Sequence, residues 1–121
     1  MKISNSKINQ LIQVYGKLML IEFDGDFEEA SLLAKDYVKL EESIKAFEKL
    51  KDGIIKKHKL NDQEATEEER KLREGKANEE FFNLLSVEHE IDLAPIKKDY
   101  LSKIKIKPLE ALMLKDLGLV A

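Results

Sequence analysis

Few side chains in this 121-residue chain could do chemistry: there are two histidines and no cysteine, and most carboxylates sit among lysines. In SVEHEIDL, His89 shares one face with Val87, Ile91 and Leu93, while Glu88, Glu90 and Asp92 take the other. It therefore cannot share a metal with its acidic neighbours, and reads as a structural histidine. His58 closes a stretch of helical periodicity, where partial positive charge is favoured by the dipole. Asp24-Gly25-Asp26 with Glu28 and Glu29 has the composition of a calcium loop, but glycine stands second instead of sixth and no glutamate arrives twelfth. A turn followed by a helix cap explains it better. Phosphate-loop, dinucleotide and zinc-helix motifs are absent, and pairs such as Glu41 and Glu42 lie on a polar face. The expectation is a non-enzyme with no catalytic residues, no cofactor and no metal.

The remaining candidate chemistry is recognition. Lys97, Lys98, Lys103, Lys105 and Lys107 crowd the C-terminal part, with Tyr100 among them and Phe82 on a preceding element. Such a set could line an anionic-ligand site, with Phe82 or Tyr100 stacking on a base; a solvated lysine-rich ribbon is the plainer account. Phe82, beside Phe81, would point away from the helix face that buries its neighbour and meet another element or subunit. Nucleic acid is disfavoured as a partner. Only Arg70 and Arg73 supply the guanidinium fork that suits phosphate and guanine, and the isoelectric point is near 5.5.

The elements that must position these residues centre on Asp26 to Leu60. Its apolar positions Phe27, Ala30, Leu33, Ala34, Tyr37, Leu40, Ile44, Phe47, Leu50, Ile54 and Ile55 recur every three or four residues and predict one long helix. Asp26 can cap it, with Glu29 closing a capping box, and Asn61 is expected just past its end. Glu41 with Lys45 and Asp52 with Lys56 are expected i, i+4 pairs. Ahead of it, Ser6 is the predicted cap of a first helix through Ile8, Leu11, Ile12, Tyr15, Leu18 and Met19, continuing toward Ile21. Gly16 in that helix suggests a closely approaching backbone.

Residues 61–80 hold only Ala65, Leu72 and Ala77 as apolar residues and predict a mobile or solvent-exposed connection with a fragile helix around Thr66 to Glu74, capped by Thr66 with Glu69 closing the box. A short helix over 77–85 should bury Phe81, Leu84 and Leu85. Strict alternation over 86–93 predicts a strand, paired with 103–107 in an antiparallel ribbon that Ile3 could extend. Pro108 should open a last helix ending at Gly118 in a Schellman turn. The fold class is α+β, mostly α: a long helical hairpin, a small antiparallel β ribbon and a C-terminal helix in a single domain, 1–121. With no apolar run of 18 residues and no signal-peptide pattern, a soluble, cytoplasmic protein without membrane association is expected.

Charge is uneven along the chain. Residues 61–94 carry eleven acidic and four basic groups, and residues 95–121 carry three and six, so the two regions should attract each other or another subunit. The long helix also exceeds what its neighbours can cover. A homodimer of antiparallel long helices is therefore predicted, with Leu50, Ile54 and Ile55 at its surface and Glu28 and Glu29 facing the partner's Lys56, Lys57 and Lys59.

The layout of KISNSKINQLIQVYGKL, AKDYVKLEESIKAFEKLKDGIIKKH, FFNLLSVEHEIDLAPI and KIKIKPLEALMLKDLGLV resembles a family of small uncharacterised phage and prophage proteins of Gram-positive bacteria. Lys107 departs from the small or serine residue usual there ahead of the proline. The resemblance implies a phage accessory protein in an infected or lysogenic host, with no catalytic residues to carry over. Together with the absence of chemistry, it predicts a protein-interaction module that binds a host or phage protein, in the class that includes antagonists of anti-phage defence. A protein sequestering a nucleotide immune signal and a virion assembly component are the alternatives.

Overall fold

Ser4, not Ser6, caps the first helix. In the computed structural model, which describes residues 1–121, Lys2–Ser4 is a strand, β1, and the Ser4 hydroxyl accepts the Lys7 N–H at 3.3 Å, so that α1 spans Asn5–Leu18. The cap moves because the chain is pinned there: Asn5 N–H donates to the Val87 carbonyl at 2.9 Å. Gly16 has open space where a Cβ would lie, so the expected close backbone approach is absent. Nor does the helix continue to Ile21. Met19 caps it and the chain turns toward Gly25, whose φ of 76° needs a residue without a Cβ.

The long helix, α2, spans Phe27–Lys57, and the Asp26 side chain accepts the Glu29 N–H at 3.4 Å as the cap pattern predicts. Its end comes earlier than Asn61. Lys59 takes a φ of 53° while Leu60 N–H reaches the Ile55 carbonyl and Lys59 N–H the Lys56 carbonyl, a Schellman turn with lysine at the left-handed position. The pairs Glu41–Lys45 and Asp52–Lys56 are not formed among the ion pairs of the structure.

The acidic connection and the short helix expected after it are one continuous helix, α3, Glu67–Ser86, with Thr66 Oγ1 accepting the Glu69 N–H at 3.2 Å. Glu, Leu, Lys and Arg dominate this stretch, and the roughly 1 kcal/mol that Gly75 costs does not break such a run. Little of α3 faces a core: Ala77 and Leu84 are buried, while of the other residues expected to be buried Phe81 is half-buried and Leu85 exposed.

The ribbon has a different partner from the one expected. Glu88–Glu90 forms β2 and pairs antiparallel with β1 in the register Lys2–Glu90, Ile3–His89, Ser4–Glu88. Residues 103–107 are not a strand. A short helix, α4 (Lys98–Leu101), shortens that return, the Lys17 ammonium donates to the Lys105 carbonyl at 2.8 Å, and Ile104 and Ile106 are half-buried against the core instead. The last helix, α5, spans Pro108–Asp116. Lys107 at its cap has no acceptor, and the Glu110 carboxylate compensates by taking the Lys107 N–H at 2.9 Å. Gly118 (φ 70°) closes the helix with Leu119 N–H on the Leu114 carbonyl, and Val120 then bridges to Ile96.

The architecture is α+β and mostly α, with the hairpin, antiparallel ribbon and C-terminal helix expected from the pattern. Its centre is α1, not α2. Ile8, Leu11, Val14, Tyr15 and Leu18 are fully enclosed, whereas α2 contributes Leu33, Leu40 and Phe47 to the buried set. α1 is covered by α2 on one side and by residues 91–119 on another, which supply Ile91, Leu93, Ile96, Tyr100, Met113, Leu114 and Leu119. No helix is long and apolar enough to cross a membrane.

Candidate functional site

Three carboxylates of α2 and its cap occupy one edge of the helix and hold the strap, an extended run over residues 91–97 followed by the first turn of α4. Asp36 Oδ2 accepts the Ala94 N–H at 2.9 Å, Glu29 Oε1 the Lys97 N–H at 3.5 Å, and Asp26 Oδ2 both the Lys97 ammonium at 3.0 Å and the Tyr100 hydroxyl at 2.5 Å. Lys39 adds a bond to the Asp92 carbonyl at 2.8 Å. The Ile91 and Ile96 N–H groups find the Met1 and Leu119 carbonyls, and the carboxylates supply acceptors for the Ala94 and Lys97 N–H groups that have no backbone partner. Glu29 does not close the expected capping box, because its carboxylate is turned to the strap. The Tyr100 and Lys97 bonds hold the Asp26 carboxyl below its ordinary value, and in return Asp26 pushes the Tyr100 phenol up to about 12 and raises Lys97. Tyr100 also stacks on Phe23 at 4.3 Å, with the Lys103 ammonium 5.5 Å from its ring centroid.

Beneath this edge the Tyr15 hydroxyl is buried without a partner, and its pKa is raised by burial first and by Asp36 and Glu29 second. None of this was read from the sequence beyond the Asp26 cap. The available signal was Asp36 itself, an acid in register with Leu33 and Leu40 on the buried stripe.

The histidines are structural. His89 Nε2 donates to Asn5 Oδ1 at 2.8 Å, while Asn5 Nδ2 donates to the Leu84 carbonyl at 2.8 Å, so one buried amide joins α1, α3 and β2. His58 meets Glu80, which the Lys57 ammonium also contacts at 2.6 Å; Lys57 first and His58 second depress the Glu80 carboxyl. Arg73 donates to the Lys59 carbonyl and Asp62, and Arg70 to the Gln63 carbonyl, so both arginines tie the turn between α2 and α3.

The proposed anionic-ligand set is dispersed. Lys97 and Tyr100 are engaged with Asp26, Lys98 and Lys103 flank α4, the Lys105 carbonyl holds Lys17, and Lys107 precedes α5. Phe82 belongs to another surface. Its side chain is 70% exposed and lines a hollow of about 460 Å³ with Lys2, Ser4, Ser6, Lys7 and Leu85 beside the ribbon. Of the expected dimer surface, Leu50 is exposed, but Ile54 and Ile55 are half-buried, so less apolar surface remains there than helix length alone suggested.

The most exposed apolar side chains lie elsewhere: Leu20 and Phe27 at the corner between α1 and α2, and Leu109 on α5. The sequence placed Phe27 on the buried stripe, but the buried positions 29, 33, 36, 40 and 47 leave it on the shoulder. No family model, curated protein or solved structure matches the chain. What the geometry offers is therefore read from surfaces: a body whose strap is pinned by carboxylates and which carries exposed apolar patches, with no group of three or more His, Asp or Glu placed to hold a metal ion.

Proposed function

We propose that this chain is a non-enzymatic protein-interaction module, a phage accessory protein that binds a host or phage protein and acts as an antagonist of bacterial anti-phage defence. The observation that carries the binding reading is Phe82. An aromatic ring standing 70% exposed, with Leu85 and Val87 also exposed beside it, at the junction of α3 and a ribbon with free edges, is a patch that a partner would cover. The site works by burial, with Lys2 and Lys7 as a charged rim that sets orientation. The phage assignment rests on the sequence resemblance. Immobilised protein incubated with lysate of a Gram-positive host should retain a specific protein that Phe82→Glu fails to retain. An identical protein set on both columns, or nothing above background, would sink the reading.

The same hollow favours one second reading. Lys2, Lys7, Ser4, Ser6 and Ser86 around an exposed aromatic ring are groups that suit a nucleotide, its base stacked on Phe82 and its phosphates on the two lysines against the opposing charge of Glu88 in the same lining, in place of the dispersed lysines of residues 97–107. A panel of linear and cyclic nucleotides at 100 times their dissociation constant would add about 2.7 kcal/mol of stability. Absence of any thermal shift removes it.

The homodimer expected through Leu50, Ile54 and Ile55 has Leu50 as its one exposed anchor. Self-association is better sought at the opposite end of α2.

A further inference from the structure

At the N-terminal end of α2 the molecule presents apolar side chains inside an acidic frame. Leu20 is 86% and Phe27 85% exposed, Leu32 is exposed as well, and a groove of about 330 Å³ opens between Phe27, Met19, Ile21 and the small side chains of Ala30 and Ala34. Glu22, Asp24 and Glu28 neighbour its lining residues in the chain, are exposed and enter no ion pair, while Asp26 on the lining itself is paired with Lys97.

A surface with more bases than acids runs along α5 and the residues just ahead of it, where Glu110 is taken up by the Lys107 N–H and by Lys17 and Asp116 is the one other acid. Leu109 is 78% and Leu112 53% exposed, three positions apart and hence on one face of the helix. Lys105 and Lys107 precede them and Lys115 follows, all exposed and all without an ion-pair partner. Within one molecule the two surfaces do not satisfy each other, since each keeps its anchors in solvent.

They do share one end of the molecule. Lys17, near the end of α1, bonds the Lys105 carbonyl and lies 3.9 Å from Glu110, while Lys97 and Tyr100 bond Asp26, the residue before Phe27. Two surfaces at opposite ends would meet head to tail and grow a filament, whereas two at one end can each face the other under a two-fold axis and close. The two-fold also doubles the contact, which matters because a stable interface buries about 1,200–2,000 Å² in total.

We infer that the chain forms a two-fold dimer in which the acidic Leu20–Phe27 corner of each copy receives the basic Leu109–Leu112 face of α5 from the other. Apolar anchors meet in the middle and Glu22, Asp24 and Glu28 face Lys105, Lys107 and Lys115 at the rim. This surface is separate from the Phe82 hollow, so the inference stands or falls independently of the proposed function.

Sedimentation of the full chain at about 100 μM tests it, a concentration far above the micromolar dissociation constants of specific interfaces. A dimer is expected, and its dissociation constant should rise at least about a hundredfold on Phe27→Asp and likewise on Leu109→Asp with Leu112→Asp. Glu28→Lys and Lys107→Glu should each weaken it, and their combination should recover part of the loss. Raising salt should weaken the dimer through the rim charges. Circular dichroism checks that each variant is folded; Leu20→Ser, at the most exposed position of the corner, replaces Phe27→Asp if the latter is not. A monomer at this concentration overturns the inference. So does a dimer indifferent to the corner, one broken at the corner but indifferent to Leu109 and Leu112, or one broken only by Leu50→Glu.

Discussion

The two halves of α2 are held by different physics. Around its N-terminal half, α1, the strap and α5 close a cluster of fifteen buried apolar residues, and the carboxylates Asp26, Glu29 and Asp36 fasten the strap across it. Around its C-terminal half, α3 and the intervening turn bury only Phe47, Ala65, Ala77 and Leu84, and the contacts are Arg73 with Asp62 and Lys57 and His58 with Glu80. Burial scales with area and is not screened by salt, whereas exposed ion pairs are screened and contribute little. The near half should therefore behave as the cooperative unit, and the far hairpin should open first. The difference also bears on binding, because Phe82 stands where α3 returns to the well-packed half, held there by Asn5 on the Leu84 carbonyl.

The contrast can be broken most forcefully at α1. Leu11→Ala removes a fully enclosed side chain and should cost about 2–5 kcal/mol, measured by denaturant unfolding, whereas Leu50→Ala on the far half should change stability by no more than about 0.5 kcal/mol. Equal losses would mean that the halves do not differ.

Asp36→Ala should cost about 1–3 kcal/mol, because it leaves the Ala94 N–H without its acceptor at the edge of the core. Exchange of that amide should accelerate ahead of global unfolding; unchanged exchange would show that the carboxylate does not hold the strap.

Tyr15→Phe should act in the opposite direction. Its hydroxyl is buried and unpartnered, so its removal should stabilise the protein by about 1 kcal/mol, read as a higher unfolding midpoint at unchanged slope. A loss of stability would place a hydrogen-bond partner on that oxygen.

The smallest effects are in the titrations. Asp26 has a folded pKa below its ordinary 3.8, so its contribution is complete above that value and is lost as pH falls through the lower folded one. Tyr100 and Lys97 have raised values, so theirs is complete below the ordinary 10.0 and 10.5 and is lost as pH rises through the folded ones. Asp26→Asn should flatten both limbs of a melting temperature against pH curve. On the far half, Glu80 is also depressed, so Glu80→Gln should speed amide exchange in α3 at neutral pH and lose that effect in acid, while the global midpoint hardly moves. A large shift in the midpoint would join the two halves into one cooperative unit.

Residue order alone determined those features whose causes lie within a turn or two of the chain. The Asp26 and Thr66 caps, the turn at Gly25, the ending at Gly118 and the helical period of α2 rest on contacts between positions two to five apart, and each formed, whereas of the alternating run 86–93 only residues 88–90 became a strand. Lys59, left-handed ahead of the expected Asn61, shows how little separates neighbouring candidates for such an ending. What only the tertiary structure decided are choices between equally good local patterns. The strand around His89 could pair with residues 103–107 or with Ile3, and the choice fell to β1 because Asn5, buried, bonds His89 and Leu84 across the whole chain, while α4 and Lys17 draw residues 103–107 aside. Phe27 and Glu29 exchanged their expected places for the same kind of reason. The helix period admits either residue to the buried stripe, and the stripe's rotation was set by a strap about 70 residues away whose backbone N–H groups needed carboxylate acceptors, leaving the phenyl ring in water.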